Sequence, residues 1–279
     1  MIFMSPAINL GKTDEERADF LQKARTLDVQ TATVQTPADW SEDDVGEARS
    51  FLDVHGMKAG EFSSFYGGRN LGSPDSAEHR EAIDHYTRCL RHAFILGSHC
   101  VGFAVHLGYS TPQVWTDEVW QNCMRGVKEL AGVAEDIGVN IAAHPHARTP
   151  LNSIDRYKQL LDTVASPRLK ILMDPVNLTW PQMVFRTTEL VDEIFDELGG
   201  DIVALHAKDV VMSGGGKIVV HVDEAIPGEG TMDYATILRR LDALDQDVTL
   251  YAEHFPFPQT VQGQEYIRSV AREVGVTLN

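Results

Sequence analysis

Imidazole and carboxylate side chains recur along this chain at the ends of short apolar runs. They are Glu61, His106, His144 and His146 on either side of Pro145, Asp174, His206 with Lys208 beyond it, and Glu253 followed by His254. Unpaired charge at the end of a buried strand is costly. A divalent cation relieves that cost by taking nitrogen and oxygen donors together, and the imidazole–carboxylate mixture suits a hard or borderline ion. Beside a ketone such an ion polarises the carbonyl and acidifies the neighbouring C–H bond, and Lys208 could face the developing oxyanion. Taken singly, each residue has a plainer role. Asp174 could cap the turn before Pro175, Lys208 could pair with Asp209, and Glu61 and His106 could pack near a pocket without lining it. Recurrence at one strand end after another is what favours chemistry.

The elements that must position these residues alternate along the whole chain. Candidate strands cover Met1–Ile8, Val29–Gln35, Met57–Glu61, Cys100–His106, Val139–His144, Lys170–Asp174, Ile202–His206 and Val248–Glu253. Amphipathic segments long enough for right-handed crossovers lie between them. The clearest runs from about Ser76 to Leu96, with Ile83, Tyr86, Leu90, Ala93 and Phe94 at helical spacing and Gly97 as its terminator. Thr13 and Glu16 have capping-box spacing, and Gly138 is placed to end the fourth helix. Eight strand–helix units in 279 residues, with no linker or composition shift, predict one (β/α)8 TIM barrel over residues 1–279. A doubly wound sheet is the rival, but no GxGxxG or Walker loop follows the first strand.

In a barrel the site lies at the C-terminal ends of the strands. Strand parity puts His106 on one face with Cys100, Gly102 and Ala104, and His144 and His146 with Ala142. It puts His206 and Lys208 with Ile202 and Ala204, and Glu253 with Thr249 and Tyr251. Val211–Gly230, glycine-rich at Gly214–Gly216, is expected to be a loop covering the mouth.

Composition narrows the partners. A net charge of −17 repels nucleic acid and anionic lipid, whereas a neutral sugar or cyclitol meets no such barrier. No stretch approaches the roughly 18 apolar residues of a membrane span. The opening MIFMSPAINLGKTDEE lacks a basic, then apolar, leader pattern and reads as a first strand. Cys89, Cys100 and Cys123 form no CxxC pair, which suits a reducing cytoplasm and argues against a thiolate zinc site.

Five phrases in order and spacing then carry a family resemblance: NLGSPD (Asn70–Asp75), LMDPVN (Leu172–Asn177), LHAKDV (Leu205–Val210), PGEGTMDY (Pro227–Tyr234) and YAEH (Tyr251–His254). Over nearly its whole length the chain resembles the sugar isomerase/epimerase-like barrels (xylose isomerase-like, AP endonuclease family 2). The resemblance implies one divalent metal, expected to be Mn2+ with Mg2+, Co2+ or Zn2+ possible, on Asp174, His206 and Glu253. The fourth position, glutamate in epimerases of the family, is His144 here, which the resemblance makes the expected fourth ligand.

The His144-Pro145-His146 phrase followed by Thr149 is similar to inosose dehydratases and compatible with lyases of 3-keto-glycosides. Both remove a proton next to a ketone and expel a β-substituent. His146 is the first candidate base and Glu253 the second, with Lys208 on the oxyanion. Glu61, His106, Trp115, Trp180 and Glu229 are expected near the substrate. Isomerisation or epimerisation of a free keto-sugar is the alternative. An abasic-site endonuclease would need three zinc ions and a histidine where this chain has Asn177, and a metal-free partner subunit is a further possibility. A homo-oligomer or a small second subunit is compatible with the reading.

Overall fold

The predicted parallel strands are present, and their order runs back on itself. The computed structural model describes residues 1–65, 70–106, 112–216 and 220–279. Strands β1 (Ile2–Met4), β2 (Thr31–Val34), β3 (Lys58–Ser63), β4 (Cys100–Phe103), β5 (Asn140–Ala143), β6 (Leu169–Met173), β7 (Ile202–Ala207) and β10 (Val248–Ala252) form one sheet. Its order is β1-β10-β7-β6-β5-β4-β3-β2, with parallel pairing throughout. The remaining seam closes just beyond β1, where Thr33 donates to the Pro6 carbonyl at 3.0 Å and Ile8 donates to that of Thr33 at 3.2 Å. A closed sheet leaves no edge to aggregate.

Helices α1 (Asp14–Leu27), α2 (Glu42–Val54), α3 (Ser76–Leu96), α4 (Asp117–Ile137), α5 (Ile154–Val164), α6 (Thr187–Leu198), α7 (Tyr234–Asp242) and α8 (Phe257–Val274) follow the barrel strands in turn. Their ends use the signals read from the sequence. Thr13 and Glu16 form the reciprocal capping box of α1, and Gly97 and Gly138 end α3 and α4 at φ of 74° and 89°. On α3 the buried stripe includes Ile83, Tyr86, Leu90 and Ala93, but Phe94 stands outside it and is exposed. It lies one residue past the stripe's edge. Among the described residues no helix is long and apolar enough to cross a membrane.

Inside the barrel, Cys100, Ala142, Leu172, Val203 and Ala204 form a small apolar layer under Phe65, separate from the larger core beneath the helices. Ile202, expected on the inner face with Ala204, packs instead in the outer core. The cause is a register shift: Ile171 pairs with Ile202 but Leu172 with Ala204, so Val203 is the extra residue. Parity counted back through it therefore fails, while the run from Ala204 to His206 keeps its direction.

The segment expected to be a loop cover is largely an antiparallel hairpin, β8 (Asp209–Ser213) with β9 (His221–Ala225). Asp209 anchors the return to the barrel by accepting backbone N–H groups from Val210 and Met232 at 2.8 Å and from Gly228 at 2.9 Å. Gly230 is required there, because a Cβ would sit 2.3 Å from the Asp209 carboxylate and 2.4 Å from the Val210 carbonyl.

Candidate metal centre

His206, at the end of β7, lies at the middle of the site and is fully buried. Its Nε2 is 3.2 Å from Glu61 Oε2, and its Nδ1 is 3.0 Å from Glu253 Oε2. Burial opposes charge on this ring, but Glu253 and Glu61 on its two sides outweigh burial and raise its pKa to about 10. Glu61 lies on the Nε2 side of the ring, so Nδ1 is the nitrogen that faces the other candidate ligands. The ring of Tyr251 packs 4.4 Å away, centroid to centroid, and the ring of Phe65 packs 5.1 Å from that of His144.

Asp174 follows β6 and has no exposed surface. Its Oδ1 accepts from Asn177 N at 3.2 Å, within the short turn Val176–Leu178 that follows Pro175. Its Oδ2 accepts from the Asn177 amide at 2.9 Å and meets Lys208 Nζ at 2.9 Å and His144 Nε2 at 3.5 Å. The same amide donates to the Pro145 carbonyl at 3.0 Å, which ties the β5 and β6 ends together. Burial would raise the Asp174 pKa, but Lys208 and His144 outweigh it and hold the carboxyl ionised. His144 follows β5, and burial pushes its pKa down despite Asp174, so it stays neutral.

Glu253 follows β10, with Oε2 2.8 Å from Lys208 Nζ and Oε1 3.2 Å from His254 Nε2. Burial is again opposed and exceeded, here by His206, His254 and Lys208, so its carboxyl sits well below the usual range. His254 adopts a left-handed backbone, φ 69°, and its other nitrogen lies 2.9 Å from Glu224 Oε1.

One ligand atom each from His144, Asp174, His206 and Glu253 lies within 4.8 Å of every other. His144 Nε2, His206 Nδ1 and Glu253 Oε2 are buried with charged neighbours at 2.8–3.5 Å but no hydrogen bond of good geometry among the described residues. Buried polar atoms are normally satisfied. Three such atoms from three strand ends, clustered beside an ionised aspartate, make a two-nitrogen, two-oxygen donor set that fits a divalent cation. Two surface clefts, of about 440 and 600 Å3, lie at the opposite end of the barrel around Phe3, Met57 and Lys58. No such donor group is found there among the described residues, so the chemistry belongs to the mouth.

The other expected site residues divide. Lys208 is at the centre, and its partners are Asp174, Glu253 and Glu224 rather than Asp209. Glu61, expected to touch substrate, is instead fully buried behind His206. Gly102 on β4 makes room for it, since a Cβ there would lie 2.2 Å from Glu61 Oε1. His146 is half-buried at the rim. Its Nδ1 accepts the Arg148 N–H at 3.1 Å, and burial, then Arg148 and His144, lower its pKa to about 4. The neutral ring with Nδ1 accepting carries its proton on Nε2, which makes that nitrogen a donor.

His106 lies three residues beyond β4, paired through the backbone with Asn70, and its charged neighbour is Glu78. Trp115 and Trp180 stand nearly half exposed on the connections after β4 and β6. Glu229 is exposed and accepts from Gln262 on α8 at 2.8 Å, so it is turned toward that helix. The residue missed from sequence is Glu224. Its Oε2 lies 3.2 Å from Lys208, and only the hairpin register, Val210 opposite Glu224, brings it there.

Comparisons with known proteins agree with this architecture. A family model described as "Xylose isomerase-like TIM barrel" matches residues 21–270. An inosose dehydratase of Glaesserella parasuis serovar 5 (strain SH0165) is 24% identical over 260 residues, covering 82% of each chain. A xylose isomerase-like TIM barrel protein from Mycobacterium smegmatis, in complex with magnesium, superposes with a TM-score of 0.73 at 14% identity, over 97% of both chains. A D-tagatose 3-epimerase-like protein also gives 0.73, at 15% identity and 98% coverage of both. At these identities the solved structures speak for the fold.

Proposed function

The chain belongs to the xylose isomerase-like TIM barrel family, and from that premise we propose that it is a divalent-metal-dependent enzyme acting on a keto-sugar or keto-cyclitol. In this reading it removes the proton next to the ketone and then expels the oxygen substituent one carbon further on. The observation that carries the reading is the convergence of His144, Asp174, His206 and Glu253 within 4.8 Å. These four would hold the cation, with Mn2+ the expected ion and Mg2+, Co2+ or Zn2+ the alternatives. When bound, the cation supplies Lewis acidity to the substrate's carbonyl oxygen.

The chain's own groups then divide the proton transfers. Glu253 is kept ionised by His206, His254 and Lys208, and it accepts the α-proton. The C–H electron pair becomes the new C=C bond as the β C–O bond breaks, and the departing oxygen takes its proton from solvent. His146 donates a hydrogen bond from Nε2–H to that oxygen. Lys208 offers positive charge to the oxygen of the developing enolate. Elimination is favoured over epimerisation because two-base epimerisation needs a free base on each face of the carbon. On the β5 side the donor is His144, whose Nε2 lone pair would be taken up by the cation, whereas a carboxylate there would keep a second oxygen free.

The test uses the metal-free chain reloaded with Mn2+ and offered an inosose and a 3-keto-glucoside in D2O. New ultraviolet absorbance from an unsaturated ketone, with loss of the β-oxygen, is expected for at least one of them. Deuterium at the α-carbon with the skeleton retained would assign an isomerase or epimerase instead. A metal-loaded protein giving neither signal with either compound would refute the reading.

A further inference from the structure

Lys208 occupies an unusual position for a lysine beside a metal centre. Its side chain is buried, with the ammonium 2.9 Å from Asp174 Oδ2 and 2.8 Å from Glu253 Oε2. Both carboxylates belong to the group that could hold a divalent ion. A charged lysine has no lone pair, so it cannot join the coordination, and like charges a few ångströms apart in a buried site repel strongly. The ammonium and a metal ion therefore compete for one pair of carboxylates.

The structure also provides a place for the displaced charge. Glu224 Oε2, on β9 of the hairpin, lies 3.2 Å from the same ammonium. His254 Nδ1 holds the Glu224 carboxylate by both oxygens, at 2.9 Å from Oε1 and 3.0 Å from Oε2, so the acceptor is fixed. The Lys208 backbone is fixed as well, its carbonyl accepting from the Tyr234 hydroxyl at 2.8 Å. Only the flexible four-carbon stem is left to move.

We infer that Lys208 is an internal counter-cation of the metal centre, which bridges Asp174 and Glu253 until a divalent ion displaces its ammonium onto Glu224. The inference rests on the metal reading above and extends it in two ways. It gives the metal-free site a cation of its own, which keeps two buried carboxylates together. It also makes metal affinity depend on the β8–β9 hairpin, which contributes no candidate ligand among the described residues.

Mn2+ binding to the metal-free full chain, followed by isothermal titration calorimetry, tests this in four proteins: wild type, Lys208→Met, Glu224→Gln and the double variant. Circular dichroism confirms the fold of each. Lys208→Met should tighten Mn2+ binding about tenfold or more, because the competitor is gone. Glu224→Gln should weaken it by about tenfold, the scale of an outer partner's loss, because Lys208 then has nowhere to go. In the Lys208→Met background the Glu224→Gln effect should vanish.

Unchanged or weaker binding by Lys208→Met overturns the inference, and so does a Glu224→Gln effect of equal size in both backgrounds. Should Lys208→Met not fold, Glu224→Gln alone decides, and undiminished affinity refutes the handover. A wild type that takes up no divalent ion overturns the metal reading itself, and this inference with it.

Discussion

Loading the site with a divalent ion should expel one proton, and the proton should come from His206. Of the four candidate ligands, Asp174 and Glu253 are already ionised and His144 is held neutral by burial. His206 alone carries a surplus proton, with its pKa raised to about 10 by Glu253 and Glu61 against the opposing effect of burial. Coordination through Nδ1 requires that proton to leave. At pH 7.5 the proton lies about 2.5 pH units below its pKa, and at about 1.4 kcal/mol per unit the metal must supply roughly 3–4 kcal/mol to remove it.

The sign follows from linkage. A group whose folded pKa is raised stabilises the metal-free fold fully below its ordinary value near 6.5, and that contribution declines as pH rises toward about 10. Metal affinity moves the other way, rising about tenfold per pH unit, or roughly 100-fold from pH 6.5 to 8.5. Calorimetric titration with Mn2+ in buffers of different ionisation enthalpy reads the proton count from the slope of observed against buffer enthalpy. A slope near one is expected. A slope near zero, with affinity flat over the same range, would refute the assignment of the proton to His206.

Three further outcomes follow from the same geometry. Asp174→Asn keeps the shape but removes a ligand charge and the partner of Lys208, so Mn2+ affinity should fall by about 100-fold or more and turnover with it, as measured by metal titration and steady-state assay. Gly102→Ala forces a Cβ to within 2.2 Å of Glu61 Oε1 and 2.9 Å of Leu172, which should cost about 1–3 kcal/mol in denaturant unfolding. It should weaken metal binding by displacing Glu61 from His206, and unchanged stability would count against the packing described. For His146, a pKa near 4 leaves the ring neutral from about pH 5 upward, so the profile of kcat/KM should show no ascending limb belonging to it near 6.5. His146→Gln, which keeps a donor, should retain more activity than His146→Ala, and equal loss in both would remove the donor role.

The sequence by itself determined the barrel and pointed to three of the four residues that converge at its mouth. Periodicity and punctuation are local properties: α3 has the predicted bounds, and Thr13, Gly97 and Gly138 end helices as their chemistry requires. Asp174, His206 and Glu253 were legible because they stand at the C-terminal ends of parallel barrel strands, where such barrels place their sites, and within phrases that carry the family resemblance. Partners across the barrel were not legible. Glu61 lies 145 residues from His206, and nothing along the chain says that it stands behind that ring rather than in front of a substrate. The register shift at Val203, the tautomer imposed on His146 by Arg148, and the approach of Glu224 to Lys208 likewise arise only once strands are paired. The physical reason is common to all of them. Local backbone preferences act within a few residues, whereas charge, tautomer and coordination depend on which atoms share a few ångströms of dry space.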